Sequence, residues 1–239
     1  MSRTSSAVST DHAPVNAGRG LMESLLPPHV AAAESFGAYR GDWRAGLFLV
    51  EARVVEQAAD KRRREFAGVR VCARRALDAL QVGPVPLVPG ARGEPGWPLG
   101  VVGSMTHCVG YRAAVVARSG AGVAGLGIDA EPHAPLLNEA LEMVASQREQ
   151  EHLAGLARSW PEVCWGRVLF SVKEAVFKAW YPLARCELDF LEAEVWFWVD
   201  AGGSGGGFRA TVAPPGPFGV VTGRWRIARG LIASAVVVR

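Results

Sequence analysis

Between Val168 and Ala179 apolar residues return at helical spacing. Val168, Val172, Ala175, Val176 and Ala179 fall on one side at 100° per residue, and Arg167, Ser171, Glu174 and Lys178 on the other, flanked by Phe170 and Phe177. Ser159-x-x-Glu162, with Pro161 in the first turn, reads as a capping box that opens this helix, and Pro182 predicts its end at Tyr181. A second helix is predicted from Lys61 to about Leu80, where Phe66, Val69, Cys72, Ala73, Ala76 and Leu80 alternate with Arg62, Arg70, Arg74 and Arg75. Leu136 to about Ala157 gives a third, restarting at the capping box Ser146-x-x-Glu149. Ala31-Ala32-Ala33-Glu34 hints at a short helix, and Leu47 to Val50 at a strand leading into a helix from about Val54.

Short apolar runs predict strands at Tyr111 to Ala117, Val123 to Ile128, Phe208 to Val212, Gly219 to Ala228 and Leu231 to Arg239. Val195 to Val199 is apolar at every position, which predicts a strand buried on both faces. Val82 to Gly100 is a Pro/Gly-rich connection that no helix survives, Gly103 to His107 reads as a small-residue loop, and Ala201 to Gly207 as a hairpin loop. Both halves carry a helix followed by antiparallel strands. The expected fold class is therefore α+β, with two similar subdomains at residues 21–128 and 129–239 after a loose polar tail at 1–20.

Composition narrows the function classes. No run of 18 apolar residues exists, so no membrane span is expected, and the polar start lacks a secretory core. The four cysteines are scattered without a C-x-x-C, a reduced, cytoplasmic usage with neither a disulfide framework nor a zinc site. The net charge of +3 suits an anionic ligand or acidic partner better than a long polyanion. Only three of the 26 basic residues are Lys, yet Lys173 and Lys178 share one helix, as if a compact ammonium were needed there.

Three groups of residues could carry chemistry. Asp129 and Glu131 are i,i+2 on a strand, so their carboxylates leave one face, and a divalent cation, Mg²⁺ above all, would relieve the repulsion. Glu174 and Lys178 stand one helical turn apart, which alone is a common solvated pair worth about 0.3 kcal/mol. The arginines from Arg62 to Arg75 read either as a cationic solvated face or as a phosphate clamp. Together these groups suggest metal-assisted phosphoryl chemistry.

G-I-D-A-E-P at 127–132, followed by F-S-V-K-E-A-V-F-K-A-W at 170–180, resembles the paired signatures of the 4′-phosphopantetheinyl transferase superfamily. K-R-R-R-E-F from Lys61 and W-P-L-G-V-V-G-S-M-T-H-C from Trp97 are similar to its enterobactin-synthase and actinobacterial branch. Ala130, where many members have Ile, and Phe170, where Trp is commonest, are the departures. The connection before Trp97 also has no Lys, which leaves open whether Arg92 replaces a basic residue of some relatives. The resemblance implies a pseudo-twofold pair of α+β subdomains, monomeric as an internal pseudo-dimer, that moves the phosphopantetheine arm of coenzyme A to a serine of an apo acyl, peptidyl or polyketide carrier protein and releases 3′,5′-ADP. It implies Mg²⁺, with Mn²⁺ as an alternative, on Asp129, Glu131 and Glu174. Glu174 would also be the base, directly or through water, and Lys178 would neutralise the leaving phosphate. Arg62, Arg70 and His107 would take nucleotide phosphates, with Ser104 and Thr106 lining their loop. Two other classes stay open at this point: a nucleic-acid-binding module on the basic helix Arg62 to Arg75, and a metal-dependent phosphohydrolase. The basic helix lacks aromatic interleaving beyond Phe66, which weighs against the first.

Overall fold

The computed structural model describes residues 20–213 and 216–239, so the tail expected at 1–20 lies outside the described residues except for Gly20. In chain order the elements are β1 (Ala31–Phe36), α1 (Leu49–Val55), α2 (Asp60–Ala79), β2 (Val101–Cys108), β3 (Tyr111–Arg118), β4 (Gly125–Pro132), α3 (Asn138–Val144), α4 (Gln147–Ser159), α5 (Trp165–Ala184), β5 (Ala193–Val199), β6 (Gly205–Val212), β7 (Val220–Ala228) and β8 (Leu231–Val238). Two antiparallel sheets result, ordered β1-β3-β2 and β4-β8-β7-β6-β5. The expected α+β class holds, and both halves repeat one plan: a strand, a long helix, then antiparallel strands. Sheet membership changes across residues 119–124, so a division at 128/129 cuts β4.

Each long helix covers the outer face of its own sheet. On α2, Cys72, Ala73, Ala76 and Leu77 pack on Val101, Ala114 and Val116. On α5, Val168, Leu169, Val172 and Val176 pack on Val195, Phe208 and Trp225. Full burial of such side chains is worth about 1.5–3 kcal/mol each, so packing rather than surface ion pairing decides where α5 lies. The inner faces meet in a shared core that includes Ala113, Val115, Ile128, Ala130, Leu231 and Ala233.

At this seam β2 and β4 are edge strands that exchange no ladder bonds. Instead Ser104 Oγ accepts the Ile128 N–H at 3.1 Å, and Thr106 Oγ1 accepts the Ala130 N–H at 3.2 Å. Hydroxyls of one sheet thus cover the open edge of the other.

Several local expectations are corrected. Ala31 to Glu34 is a strand, because Ala31 and Ala33 face α2 while Ala32 faces the central core. Leu49 already starts α1, where Glu51 accepts the Phe48 N–H at 2.8 Å, and the helix has ended at Val55. Gly103 to His107 lies within β2 and is no loop. Ser159 closes α4; α5 begins only at Trp165 and runs past Pro182 to Ala184. Proline in that last turn removes only its own amide, and the turn still closes through Arg185 N–H to the Tyr181 carbonyl. Trp196 and Trp198 are nevertheless 43% and 47% exposed, with the His152 ring of α4 against Trp196, at 4.5 Å between centroids. Gly205 to Gly207 belong to β6: the Trp198 ring lies where a Gly207 side chain would be.

Candidate active site

The site is built where α5 crosses β4. Gly127 makes the crossing close, because a β-carbon there would lie 1.8 Å from the Ala175 carbonyl oxygen. The glycine of G-I-D therefore brings the polar stripe of α5 down onto the two strand carboxylates two and four residues on. Asp129 is 4% exposed. Its Oδ1 accepts Lys178 Nζ at 2.6 Å and Thr106 Oγ1 at 3.2 Å, while Oδ2 is buried without a partner. Glu131 Oε2 accepts Arg167 Nη1 at 3.1 Å. Glu174 edges a hollow of about 160 Å³ shared with Phe177, Leu188 and Phe190.

Charge and burial work against each other here. Burial pushes the Glu131 carboxyl up and Asp129 adds to it, while Arg167 and Lys178 pull it back. Burial also raises Glu174; Lys178 opposes that shift and Asp129 reinforces it. Among the described residues no three His, Cys, Asp or Glu side chains converge closely enough to form a ready metal cluster. Lys178 and Arg167 already supply positive charge to Asp129 and Glu131. The donor set nevertheless suits a hard divalent ion: hard carboxylate oxygens on one strand face, and a buried Asp129 Oδ2 with its acceptor capacity unused.

The opposite wall comes from α2 and β2. His107 Nε2 lies 3.5 Å from Arg62 Nη1 and 3.5 Å from Glu65 Oε2. Burial lowers its pKa, Glu65 resists, and Arg62 and Lys178 lower it further. Lys178 is thus close enough to act electrostatically on His107, Glu131 and Glu174 as well as on its partner Asp129, and Arg62 adjoins His107.

Arg70 does not join them. It is 4% exposed, donates to the Leu87 and Phe66 carbonyls and lies 3.6 Å from the fully buried Glu51, so its guanidinium is part of the core. Arg74 turns onto the same carboxylate at 3.1 Å, which leaves the basic helix without a continuous outward row of arginines. Ser104 and Thr106 are buried and their hydroxyls are spent on β4 and Asp129, so they build the seam rather than a phosphate loop. Lys173 is likewise internal: Nζ donates to Glu149 Oε2 at 2.8 Å and to the Val144 and Phe190 carbonyls. Of the two lysines that stood out by their rarity, only Lys178 faces the carboxylates. Arg92 pairs with Glu187, and Glu94 with Arg185 at 3.0 Å, beside a cavity of about 430 Å³ lined by Trp97, Gly103, Gly125 and Pro182. Arg167 went unassigned in the sequence, although its place on the stripe beside Ser171 and Glu174 was the available signal.

Residues 50–117 match the family model of the 4′-phosphopantetheinyl transferase N-terminal domain, and residues 125–213 that of the 4′-phosphopantetheinyl transferase superfamily. The chain is 49% identical over 224 residues to the 4′-phosphopantetheinyl transferase Svp of Streptomyces mobaraensis, covering 91% of this chain and 89% of that one. The chain belongs to the 4′-phosphopantetheinyl transferase superfamily. It is also 44% identical to the transferase PptT of Mycobacterium tuberculosis, over 91% of this chain and 97% of that one. Enterobactin synthase component D of Escherichia coli is more distant, at 31% over 64% of this chain and 70% of that one. The enzyme is thus a phosphopantetheinyl transferase of the actinobacterial type. The two family matches are separated by residues 118–124, where sheet membership changes. Among the described residues no helix is long and apolar enough to cross a membrane.

Proposed function

We propose that this transferase takes the 4′-phosphopantetheine arm from coenzyme A and attaches it to a serine of an apo carrier protein, releasing 3′,5′-ADP, as a monomer whose two halves meet at residues 119–124. The observation that carries this reading is the pairing of Lys178 with Asp129 across the cleft from Arg62 and His107. Cations on both walls suit a ligand with phosphates at two places, a pyrophosphate and a separate monophosphate. Arg62 and His107 would hold the monophosphate, and Arg70 is withdrawn from that role because its guanidinium is buried against Glu51.

Asp129, Glu131 and Glu174 would hold Mg²⁺, with the buried Asp129 Oδ2 as the open acceptor. Bound there, the metal would supply positive charge to offset that of the pyrophosphate. The rest falls to side chains. Glu174, its carboxyl raised by burial above its ordinary value, is suited to take the proton of the serine hydroxyl, directly or through water. The serine oxygen bonds to the phosphorus that carries the pantetheine arm, and the bond from that phosphorus to the bridging oxygen breaks. Lys178 offsets the charge that develops on the departing phosphate, as a compact ammonium on a swinging tether can. The test is the mass of an apo acyl or peptidyl carrier protein after incubation with the enzyme, coenzyme A and Mg²⁺. Addition of one phosphopantetheine, abolished in Asp129→Ala, is expected; an unchanged carrier mass would overturn the reading.

A further inference from the structure

The transfer chemistry gives Arg167 no part, yet three of its nitrogens are engaged at the site. Nη1 donates to Glu131 Oε2 at 3.1 Å, Nη2 to the Pro135 carbonyl at 3.1 Å and Nε to the Ala134 carbonyl at 3.4 Å. A planar guanidinium tied to two main-chain carbonyls and a carboxylate is held in place. Lys178 is held differently. Its ammonium makes one bond, to Asp129 Oδ1, where Arg167 makes three, so it has less to break in moving away. One cation on the carboxylates is fixed and the other is movable.

The charges then bear on how a divalent cation reaches the cleft. Asp129, Glu131 and Glu174 bring three negative charges when ionised, and Arg167 and Lys178 return two. A cation arriving alone meets little net attraction and two nearby positive groups. One arriving against an anionic ligand brings its own neutralising charge, and that ligand gives Lys178 a second partner.

We propose that Arg167 is a positioning residue: it fixes Glu131 and, with Lys178 on Asp129, keeps the carboxylates from taking a divalent cation until a phosphate-bearing ligand comes with it. The identity of that ligand rests on the transfer reading; the electrostatic arrangement does not. Mn²⁺ is the probe, with the free ion measured by electron paramagnetic resonance against the full chain. Wild type is expected to bind Mn²⁺ weakly alone and at least about tenfold more tightly once coenzyme A is present. Arg167→Gln should tighten Mn²⁺ alone by at least about tenfold, whereas Arg167→Lys, which keeps the charge, should stay near wild type. Equal Mn²⁺ affinity in wild type and Arg167→Gln would overturn the proposal. So would tight Mn²⁺ binding by the wild type without coenzyme A. If Arg167→Gln fails to fold for want of its carbonyl anchors, Lys178→Gln takes its place with the same expected tightening, and its absence there counts against the proposal equally. Tight binding of Mn²⁺ alone leaves the transfer reading standing, and an unmodified carrier protein leaves the Mn²⁺ titration standing.

Discussion

Glu174 is the residue at which activity and stability pull apart. Its carboxyl is raised above the ordinary 4.5, chiefly by burial, so the folded protein binds that proton more tightly than the unfolded chain does. For such a group the sign is fixed: its contribution favours the fold at low pH and is lost as pH rises through the folded-state pKa. Glu174→Gln removes a charge the ligand-free fold tolerates poorly. Its Tm, measured without metal or ligand, is therefore expected above wild type at neutral pH, with the difference closing as pH falls toward 4.5. Single-turnover transfer should move the other way and fall by about 10²–10⁴-fold, the usual span for a positioned base, with coenzyme A affinity largely kept. Turnover equal to wild type would remove Glu174 as base. Two arginines make a second contrast. Arg62→Ala should weaken coenzyme A by roughly tenfold while leaving 3′-dephospho-coenzyme A unchanged in calorimetric titration, as loss of a charge-assisted bond requires. Arg70→Ala should act on the fold instead, lowering urea stability by about 1–3 kcal/mol, because it leaves the buried Leu87 and Phe66 carbonyls without its donors while Arg74 still pairs with Glu51.

At the scale of elements, Gly127 ties the strand motif to the helix motif. Gly127→Ala would press a methyl group into the backbone of α5, and overpacking of this kind costs about 1–3 kcal/mol. Because relief comes from lifting α5 off β4, turnover should fall along with the urea midpoint. A variant as stable and active as wild type would mean that the crossing is not tight. The same scale shows what could be read without coordinates. The apolar stripe of α5, the paired carboxylates of β4 and the capping box at Ser146 were legible because each is a local pattern with a local cause. The start of α5 was not, since the cap comes from far along the chain: His133 Nε2 accepts the Cys164 N–H at 3.2 Å. Ala31 to Ala33 carry helical propensity but are claimed by pairing with β3. Arg70 reads like its neighbours on a helical wheel, and only the distant Glu51 turns it into a core residue. Lys173 shows the same limit, one position before Glu174 and facing another way.

On the scale of the whole molecule, the two halves are joined by side chains. A β-ladder resists shear because every repeat must break together. The join between β2 and β4 has two rotatable hydroxyls in that position, on Ser104 and Thr106. Both hydroxyls are buried, so their bonds to β4 break only when the seam parts, and it can part without unzipping either sheet. Amide hydrogen exchange reads this directly. Ser104→Ala should speed exchange at Ile128 by roughly tenfold or more, the loss of about one hydrogen bond of protection, while the amides of the β4–β8 ladder keep theirs. If the ladder amides accelerate equally, the halves open as one body. If only the seam responds, the molecule has a built-in line of slip that ends beside Asp129 and is held shut by two hydroxyls.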